Sequence, residues 1–356
     1  MARLILDCDL MKYPFSGLYQ YCHQLTENVN IQLEKSGQAP MYQYLPPRGK
    51  LVLPMQSHHL IERKWHRLIA PFMRDCKVWH APFQSGRIVP IKQKFPNLKV
   101  VLTLHDLNVL HEGKPEEDQQ KSLAHTQSLI DRSDALVCIS KFTKNDVLDH
   151  CHVGNKPIHV IYNGVDPVPA AVTAAPDYRP TRPFLLGIGY LNAKKNFHVL
   201  VPLLKANPDL ELILIGRHDD PDYVAQLQQQ AQTVGVHDRL QLLGTVSEAD
   251  KGWYLRNCQA LVHPSLAEGF GLPVLEAMQF GKPVFLSTRT ALPEIGGDAA
   301  YYFPDFTADT LQTVYREGMI DYARYARADS IRQHAARFNW QITARQYVAV
   351  YEELGL

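Results

Sequence analysis

The sequence predicts an α/β protein built on parallel sheets, and three observations carry that prediction. First, the stretch Leu261 to Phe285, LVHPSLAEGFGLPVLEAMQFGKPVF, reads as a buried strand, an acidic and glycine-rich turn, a helix opening near Pro273 and a second apolar strand after Gly281. Val274, Leu275 and Met278 give the helix an apolar face, so the stretch is one βαβ unit. Second, short apolar runs recur along the chain, several leading into helical patterns. Third, 356 residues with 46% hydrophobic content are enough for two domains, each with its own core.

Taken in order, Arg3 to Asp7 is a first strand, followed by the turn KYPFSGLYQY and a helix from about Leu18 to Leu33. Ser16 and Gly17 precede that helix, where exposed amides favour an anion. From Gln56 to Arg74, Leu60, Ile61, Trp65, Leu68, Ile69 and Phe72 recur at helical spacing beside Arg63, Lys64, His66 and Arg67. Such a basic amphipathic segment either packs its stripe on a sheet or rests on a membrane surface, and Pro71 limits it to about three turns. Val78–Ala81 and Val100–Leu104 are further strands, and the second runs into His105 and Asp106 at the strand end where open α/β sheets put their ligands. A helix from Gln119 to Arg132, the strand ALVCIS and a helix after Ser140 follow. The Pro- and Ala-rich PVPAAVTAAPDYRPTRP reads as an interdomain connection.

The second half opens on the strand around Phe184 to Tyr190, then NAKKN and a helix, with Lys194 and Lys195 held between them. Strands at Leu210–Gly216 and Leu240–Gly244 come before the βαβ unit, and a long aromatic-rich helix closes the chain. The acids Asp219, Asp220 and Asp222 form a solvated loop rather than a metal site. Within the βαβ unit Glu268 lies in the turn and Glu276 about one turn into the helix, so both can reach the crevice at the strand ends. Gly269 and Gly271 let the backbone approach a ligand, and the free amides opening the helix favour an anion.

Composition excludes several classes. No segment approaches the 18 or so consecutive apolar residues of a membrane span, and Asp7 and Asp9 interrupt the first apolar stretch, so it reads as a strand rather than a signal peptide. Cys8, Cys22, Cys76, Cys138, Cys151 and Cys258 form no CxxC pair, which suits a reducing compartment and argues against a disulfide framework or a cysteine-rich zinc site. The net charge is +1; residues through Ala170 carry 20 Lys and Arg against 16 Asp and Glu, and the remainder 17 against 20. That asymmetry is too weak for nucleic-acid binding as a primary function, though it suits a first half facing an anionic surface.

Glu268-Gly-Phe-Gly-Leu-Pro-Val-Leu-Glu276, followed by Ala-Met-x-x-Gly-x-Pro-Val, resembles the E-x7-E signature of the retaining glycosyltransferase family 4. The resemblance takes in SGLYQY, the His105-Asp106 strand end, His159-Val-Ile-Tyr-Asn-Gly-Val-Asp166, the NAKKN turn and Leu292-Pro293-Glu294, and is weakest between about Gln38 and Phe95. It implies the GT-B fold, two Rossmann-like domains facing a central cleft. The domains expected are an acceptor-side domain over 1–170, a connection over 171–182, a nucleotide-sugar-binding domain over 183–338, and a helix over 339–356 that crosses back to the first domain.

The same resemblance implies the roles of individual residues. Glu268 contacts the transferred sugar and Glu276 the nucleotide ribose. The amides of Phe270, Gly271 and Leu272 hold sugar hydroxyls or phosphate, and Gly17 brings the backbone close to the donor. Lys195 takes the place of the phosphate-binding lysine, Lys194 stands where arginine is common, and His105 contacts the donor sugar or its phosphate. A further arginine common in the family at the Gly189 turn is absent here. His105, Lys195 and Glu268 are the expected catalytic groups, with no metal and no cofactor; Glu268 is assigned to sugar orientation and not as a nucleophile.

The expected reaction transfers a sugar with retention from a nucleotide diphosphate sugar, GDP-mannose first, to a hydroxyl of a saccharide or lipid-linked saccharide of bacterial surface polysaccharide. The expected location is the cytoplasm, with peripheral contact at the inner face of the membrane through the Leu60 to Phe72 segment. Two other readings remain open: a nucleotide-sugar epimerase of the same fold, and a noncatalytic nucleotide-sugar-binding scaffold.

Overall fold

Runs such as LILD, ALVC and ELILI place apolar residues at successive positions, the pattern of strands covered on both faces. In the computed structural model these runs and their counterparts form two sheets whose strand pairings are all parallel. The structure describes residues 4–12, 17–46, 58–63, 66, 75–84, 90, 94–166 and 176–356. The chain divides into two compact units, Met1–Gly164 with Asn339–Leu356, and Val165–Phe338.

The first unit contains β1 (Leu4–Asp7), β2 (Tyr42–Leu45), β3 (His59–Ile61), β4 (Val78–Ala81), β5 (Lys99–Leu104), β6 (Ala135–Cys138) and β7 (Ile158–Val160), in the order β3-β2-β1-β4-β5-β6-β7. The chain starts in the middle, winds outward to β3 and re-enters at β4, so the order reverses between β1 and β4. Its helices are α1 (Gly17–Lys35), α2 (Glu116–Arg132) and α3 (Lys141–His150). α2 begins earlier than the apolar spacing alone suggests because Glu116, Glu117 and Asp118 complement its positive end.

The helix expected over Gln56–Arg74 is corrected at its start. Leu60 and Ile61 belong to the edge strand β3, which pairs with β2 through Tyr44↔Leu60 and Leu45↔Ile61. An apolar pair beside a histidine fits both periods, and the open edge of β2 decides for the strand. Most of the remaining Leu60 to Phe72 segment lies outside the described residues. Within it, His66 is described and its Nδ1 lies 3.0 Å from the Tyr44 hydroxyl.

The second unit contains β8 (Phe184–Ile188), β9 (Glu211–Ile215), β10 (Leu240–Gly244), β11 (Ala260–His263), β12 (Val284–Ser287) and β13 (Tyr301–Phe303), in the order β10-β9-β8-β11-β12-β13. Here the order reverses between β8 and β11. The helices are α4 (Val201–Ala206), α5 (Pro221–Val234), α6 (Glu248–Asn257), α7 (Leu272–Gln279), α8 (Leu292–Gly296), α9 (Ala308–Arg324) and α10 (Ala328–Ala335). Leu185, Leu212, Leu214, Val262 and Phe285 from the sheet meet Phe197, Leu204, Leu227 and Tyr315 in its core.

The expected connection at 171–182 is described from residue 176. There Glu211, buried at the start of β9, accepts from the backbone N–H of Thr181 and Arg182 and from the Tyr178 hydroxyl. A buried carboxylate needs such donors, and this one fastens the incoming chain to the second sheet. The last helix, α11 (Trp340–Glu353), belongs to the first unit, where Trp340, Ala344, Tyr347 and Tyr351 pack with Tyr21, Cys22, Leu25 and Val29 of α1.

All six cysteines are free thiols. The acidic loop is used locally: Asp220 caps α5, accepting from the backbone N–H of Asp222 and Tyr223. Among the described residues no group of three His, Cys, Asp or Glu could hold a metal ion, and no helix is long and apolar enough to cross a membrane.

Candidate active site

In an open parallel sheet, loops leaving adjacent strands in opposite directions open a crevice where the strand order reverses. In the second unit those loops follow β8 and β11. The first carries Lys194 and Lys195 and the second carries Glu268. Asn192 caps the turn Ala193–Lys195 through its side chain, and Asn196 takes a left-handed conformation at φ 58°. Asparagine tolerates that region better than most residues. The two loops are tied directly: Asn196 Nδ2 donates to the Pro264 carbonyl at 3.2 Å, and Leu266 N donates to the Lys194 carbonyl at 2.9 Å.

Lys195 Nζ and Glu268 Oε1 form an ion pair at 2.5 Å, with both side chains mostly buried. His263, the last residue of β11 and without solvent exposure, places Nε2 2.8 Å from the same oxygen. Burial opposes ionisation of Glu268, but the Lys195 ammonium and the His263 N–H outweigh it and hold the carboxyl well below the usual carboxylate range. Burial pushes His263 below an ordinary histidine, and the neighbouring carboxylate only partly offsets this. Glu268 is therefore a carboxylate at neutral pH, and His263 is neutral.

The Gly189 turn is shaped to the same pair. At φ 153° it holds a backbone that side-chain-bearing residues rarely adopt, and a Cβ there would meet Lys195 Cε at 2.8 Å. Glycine thus leaves room for the lysine stem. Gly271, at φ 100°, is the N-cap of α7, and no side chain caps that helix end. Helix-opening amides without a side-chain cap leave room for an acceptor from elsewhere. Phe270 is buried and turns its ring to Phe338.

Glu276 stands within α7 and pairs with Lys251 of α6 at 3.0 Å; Lys251 also pairs with Glu248 at 2.8 Å. Although burial disfavours its charge, the two carboxylates carry the Lys251 ammonium up to about 12. The two glutamates of the E-x7-E stretch therefore each have a lysine partner, from different elements.

In the first unit, His105 follows β5 and is buried. Its Nε2 donates to the Pro82 carbonyl at 2.8 Å, its backbone N donates to Gln84 Oε1, and the Gln84 amide donates to the Asp106 carbonyl. Burial pushes the imidazole down to about 4. The ring is thus neutral with its proton on Nε2, and Nδ1 is left as an acceptor. A ring in this tautomer can receive a hydrogen bond from a hydroxyl at Nδ1. Beneath it runs a buried chain of hydrogen bonds: Tyr351 to His80 at 2.8 Å, His80 to Thr103 at 2.8 Å, Thr103 to Tyr347 at 2.9 Å and Tyr347 to Tyr21 at 2.7 Å. The Tyr21 ring meets His105 edge-on at 4.8 Å. Gly17 opens α1, and a Cβ there would touch no described atom.

The structure brings Lys195 and Glu268 together, sets Glu276 on Lys251, and keeps His105 and Gly17 in the first unit. Sequence reasoning missed His263, Lys251 and Gln84. The signal for His263 was present: a histidine at a strand's carboxyl end, the feature that singled out His105. Lys251 and Gln84 carry no local signal, since their partners come from distant elements.

Two parallel-sheet units, each with a reversal in strand order, are the architecture of the GT-B fold. Residues 174–328 match the family model "Glycosyl transferases group 1", and residues 33–168 match "Glycosyltransferase Family 4". The chain belongs to the GT-B glycosyltransferases of that family and is a glycosyltransferase. Among its relatives, the O-antigen chain mannosyltransferase B of Escherichia coli is 23% identical over 401 aligned positions, which span 99% of this chain and 100% of that protein. The serotype-specific mannosyltransferase WbdA of Escherichia coli is 26% identical over 63% of this chain, a match that spans only 29% of WbdA. The sucrose-phosphate synthase of Thermosynechococcus elongatus superposes with a TM-score of 0.77 at 18% identity, covering 99% of both chains.

Proposed function

We propose that the protein is a retaining mannosyltransferase that moves mannose from GDP-mannose to a hydroxyl of a saccharide or lipid-linked saccharide acceptor in surface polysaccharide synthesis, on the cytoplasmic side. The observation that carries the reading is the Lys195–Glu268 pair at the strand-order reversal of the second sheet. Mannose as the transferred sugar, and a surface polysaccharide as its destination, are supported by the names of the relatives, an O-antigen chain mannosyltransferase and a serotype-specific mannosyltransferase.

As the bond from sugar to phosphate breaks, negative charge grows on the departing diphosphate. Lys195, with the amides opening α7, stabilises that charge, and a group that meets developing charge accelerates the step. Glu268 orients the sugar through its hydroxyls, and Glu276, preset by Lys251, takes the ribose. A carboxylate presents acceptors only, which matches vicinal hydroxyls. His105 accepts a hydrogen bond from a sugar hydroxyl at Nδ1 and takes no proton. The acceptor attacks on the face from which the phosphate departs, and the phosphate assists its deprotonation.

Saturation-transfer NMR against GDP-, UDP-, ADP- and TDP-sugars, with donor and products followed in the same tubes, tests the reading. Selective binding of GDP-mannose and its consumption with a saccharide acceptor are expected. Conversion of the donor to an epimer without acceptor would replace the reading with the epimerase, and binding without any turnover would replace it with the scaffold.

A further inference from the structure

His263 stands outside the roles assigned above, yet it is fully buried directly behind Glu268. Its backbone is held in β11, paired with Leu286 of β12. Its Nε2 faces Glu268 Oε1 at 2.8 Å and Ser265 Oγ at 3.4 Å, while Nδ1 is buried with no hydrogen-bond partner. A carboxylate oxygen only accepts, so Nε2 carries the proton. Protonating Nδ1 as well would bury a second N–H with nothing to receive it, so the geometry selects one tautomer.

The carboxylate is loaded on one side. Oε1 takes both Lys195 Nζ and His263 Nε2, whereas Oε2 makes no hydrogen bond among the described residues. The turn that carries Glu268 is fixed independently: Glu268 N donates to Thr290 Oγ1 at 2.8 Å, and Ser287 Oγ donates to the Ser265 carbonyl at 2.6 Å. The two donors on Oε1 differ in kind. Lysine is a compact charge on a flexible stem, free to turn toward a phosphate. The histidine is buried, held in β11, and makes its short contact with Oε1, Ser265 Oγ lying farther off at 3.4 Å.

We propose that His263 is the positioning residue of Glu268: its Nε2–H anchors Oε1 and presents Oε2 to a hydroxyl of the transferred sugar while Lys195 is released to serve the phosphate. The proposal rests on the reading of Glu268 as the sugar contact. It accounts for one oxygen receiving two donors while the other is left open, an arrangement that a structural ion pair does not require. Preorganised partners of this kind matter because a misplaced catalytic or binding group loses much of its effect.

The test compares His263→Gln, which keeps an amide N–H donor on a side chain long enough to approach the Nε2 position, with His263→Leu and His263→Asn, which do not. For each, and for Glu268→Ala, calorimetric affinities for GDP and GDP-mannose, the split between kcat and KM, and the thermal midpoint are measured. His263→Leu and His263→Asn are expected to lose about 10-fold in affinity for GDP-mannose with GDP binding unchanged, and His263→Gln to recover most of it. Should His263→Leu fail to fold, His263→Asn against His263→Gln carries the comparison. GDP-mannose affinity and turnover that stay at the parent level in His263→Asn or His263→Leu, while Glu268→Ala loses them, overturn the role of His263 and leave that of Glu268 standing. Parental behaviour of Glu268→Ala overturns both.

Discussion

Around the ends of β8 and β11 the glutamates assigned to the donor sit in charged pairs with lysines, one of them backed by the neutral, buried His263, whereas at the ends of β4 and β5 the histidines His80 and His105 are neutral and buried. In the second unit Lys195 meets Glu268, and Lys251 meets Glu276. In the first, His105 is held by Pro82 and Gln84 above the chain of Tyr21, Tyr347, Thr103, His80 and Tyr351. The two designs suit what each would hold on the proposed reading. A diphosphate calls for charge that can be drawn from one partner to another, and such charge survives only where water or a counter-ion reaches it. A fixed hydroxyl contact calls for a ring whose tautomer is settled in advance, and burial settles it at the cost of sensitivity to acid.

The comparison is broken most forcefully at Lys195. Lys195→Ala is expected to lower turnover by about 10²- to 10³-fold and donor affinity far less, because the lysine acts on charge that develops as the bond breaks. Steady-state kinetics with GDP-mannose checks this, and parental kinetics in the variant would remove the lysine from the reaction.

The neutral design is tested by pH. His80, pushed down to about 3 by burial and by His105, and His105, at about 4, stay neutral in the folded chain, whereas an unfolded histidine protonates near 6.5. The unfolded state therefore binds more protons as the pH falls. The stability contributed by these neutral rings is fully present above pH 6.5 and is lost as the pH drops toward 4, at up to about 1.4 kcal/mol per pH unit for each ring. Thermal midpoints at pH 7 and pH 5 should fall less in His80→Gln than in the parent; an equal fall would show that His80 does not titrate in unfolding.

A smaller effect is expected at Glu276. Glu276→Ala should weaken GDP binding by about 10-fold and leave the gain from the attached mannose intact, the reverse of a change at Glu268. Smallest is the reversal of Arg63 and Arg67 to glutamate, which should reduce association with anionic liposomes by a few-fold at low salt. Unchanged sedimentation with liposomes would assign the basic face to solvent alone.

The same contrast decides what could be read in the sequence. Glu268, Glu276, Gly271 and the apolar face of α7 sit within one short stretch, so local periodicity and spacing place them without tertiary information. The same local pattern puts Lys195 between a strand and a helix, but only the resemblance of the NAKKN turn singles it out. The first unit resists such reading because its contacts are distant: Tyr351 and His80 are 271 residues apart in sequence and touch at 2.8 Å. Leu60 and Ile61 carry a period that suits helix and strand alike, and only the edge of β2 selects the strand. That His105 would be held as an acceptor also depends on the Pro82 carbonyl, which no local pattern reveals.

The central claim is that the second unit reads the sugar through Glu268 and its two donors, separately from the nucleotide. Calorimetric titration of GDP and GDP-mannose into the parent and Glu268→Ala tests it most directly. The account predicts equal GDP affinity in the two proteins and, in the variant, the loss of the added affinity that mannose confers. Identical curves for GDP-mannose in parent and variant would contradict it.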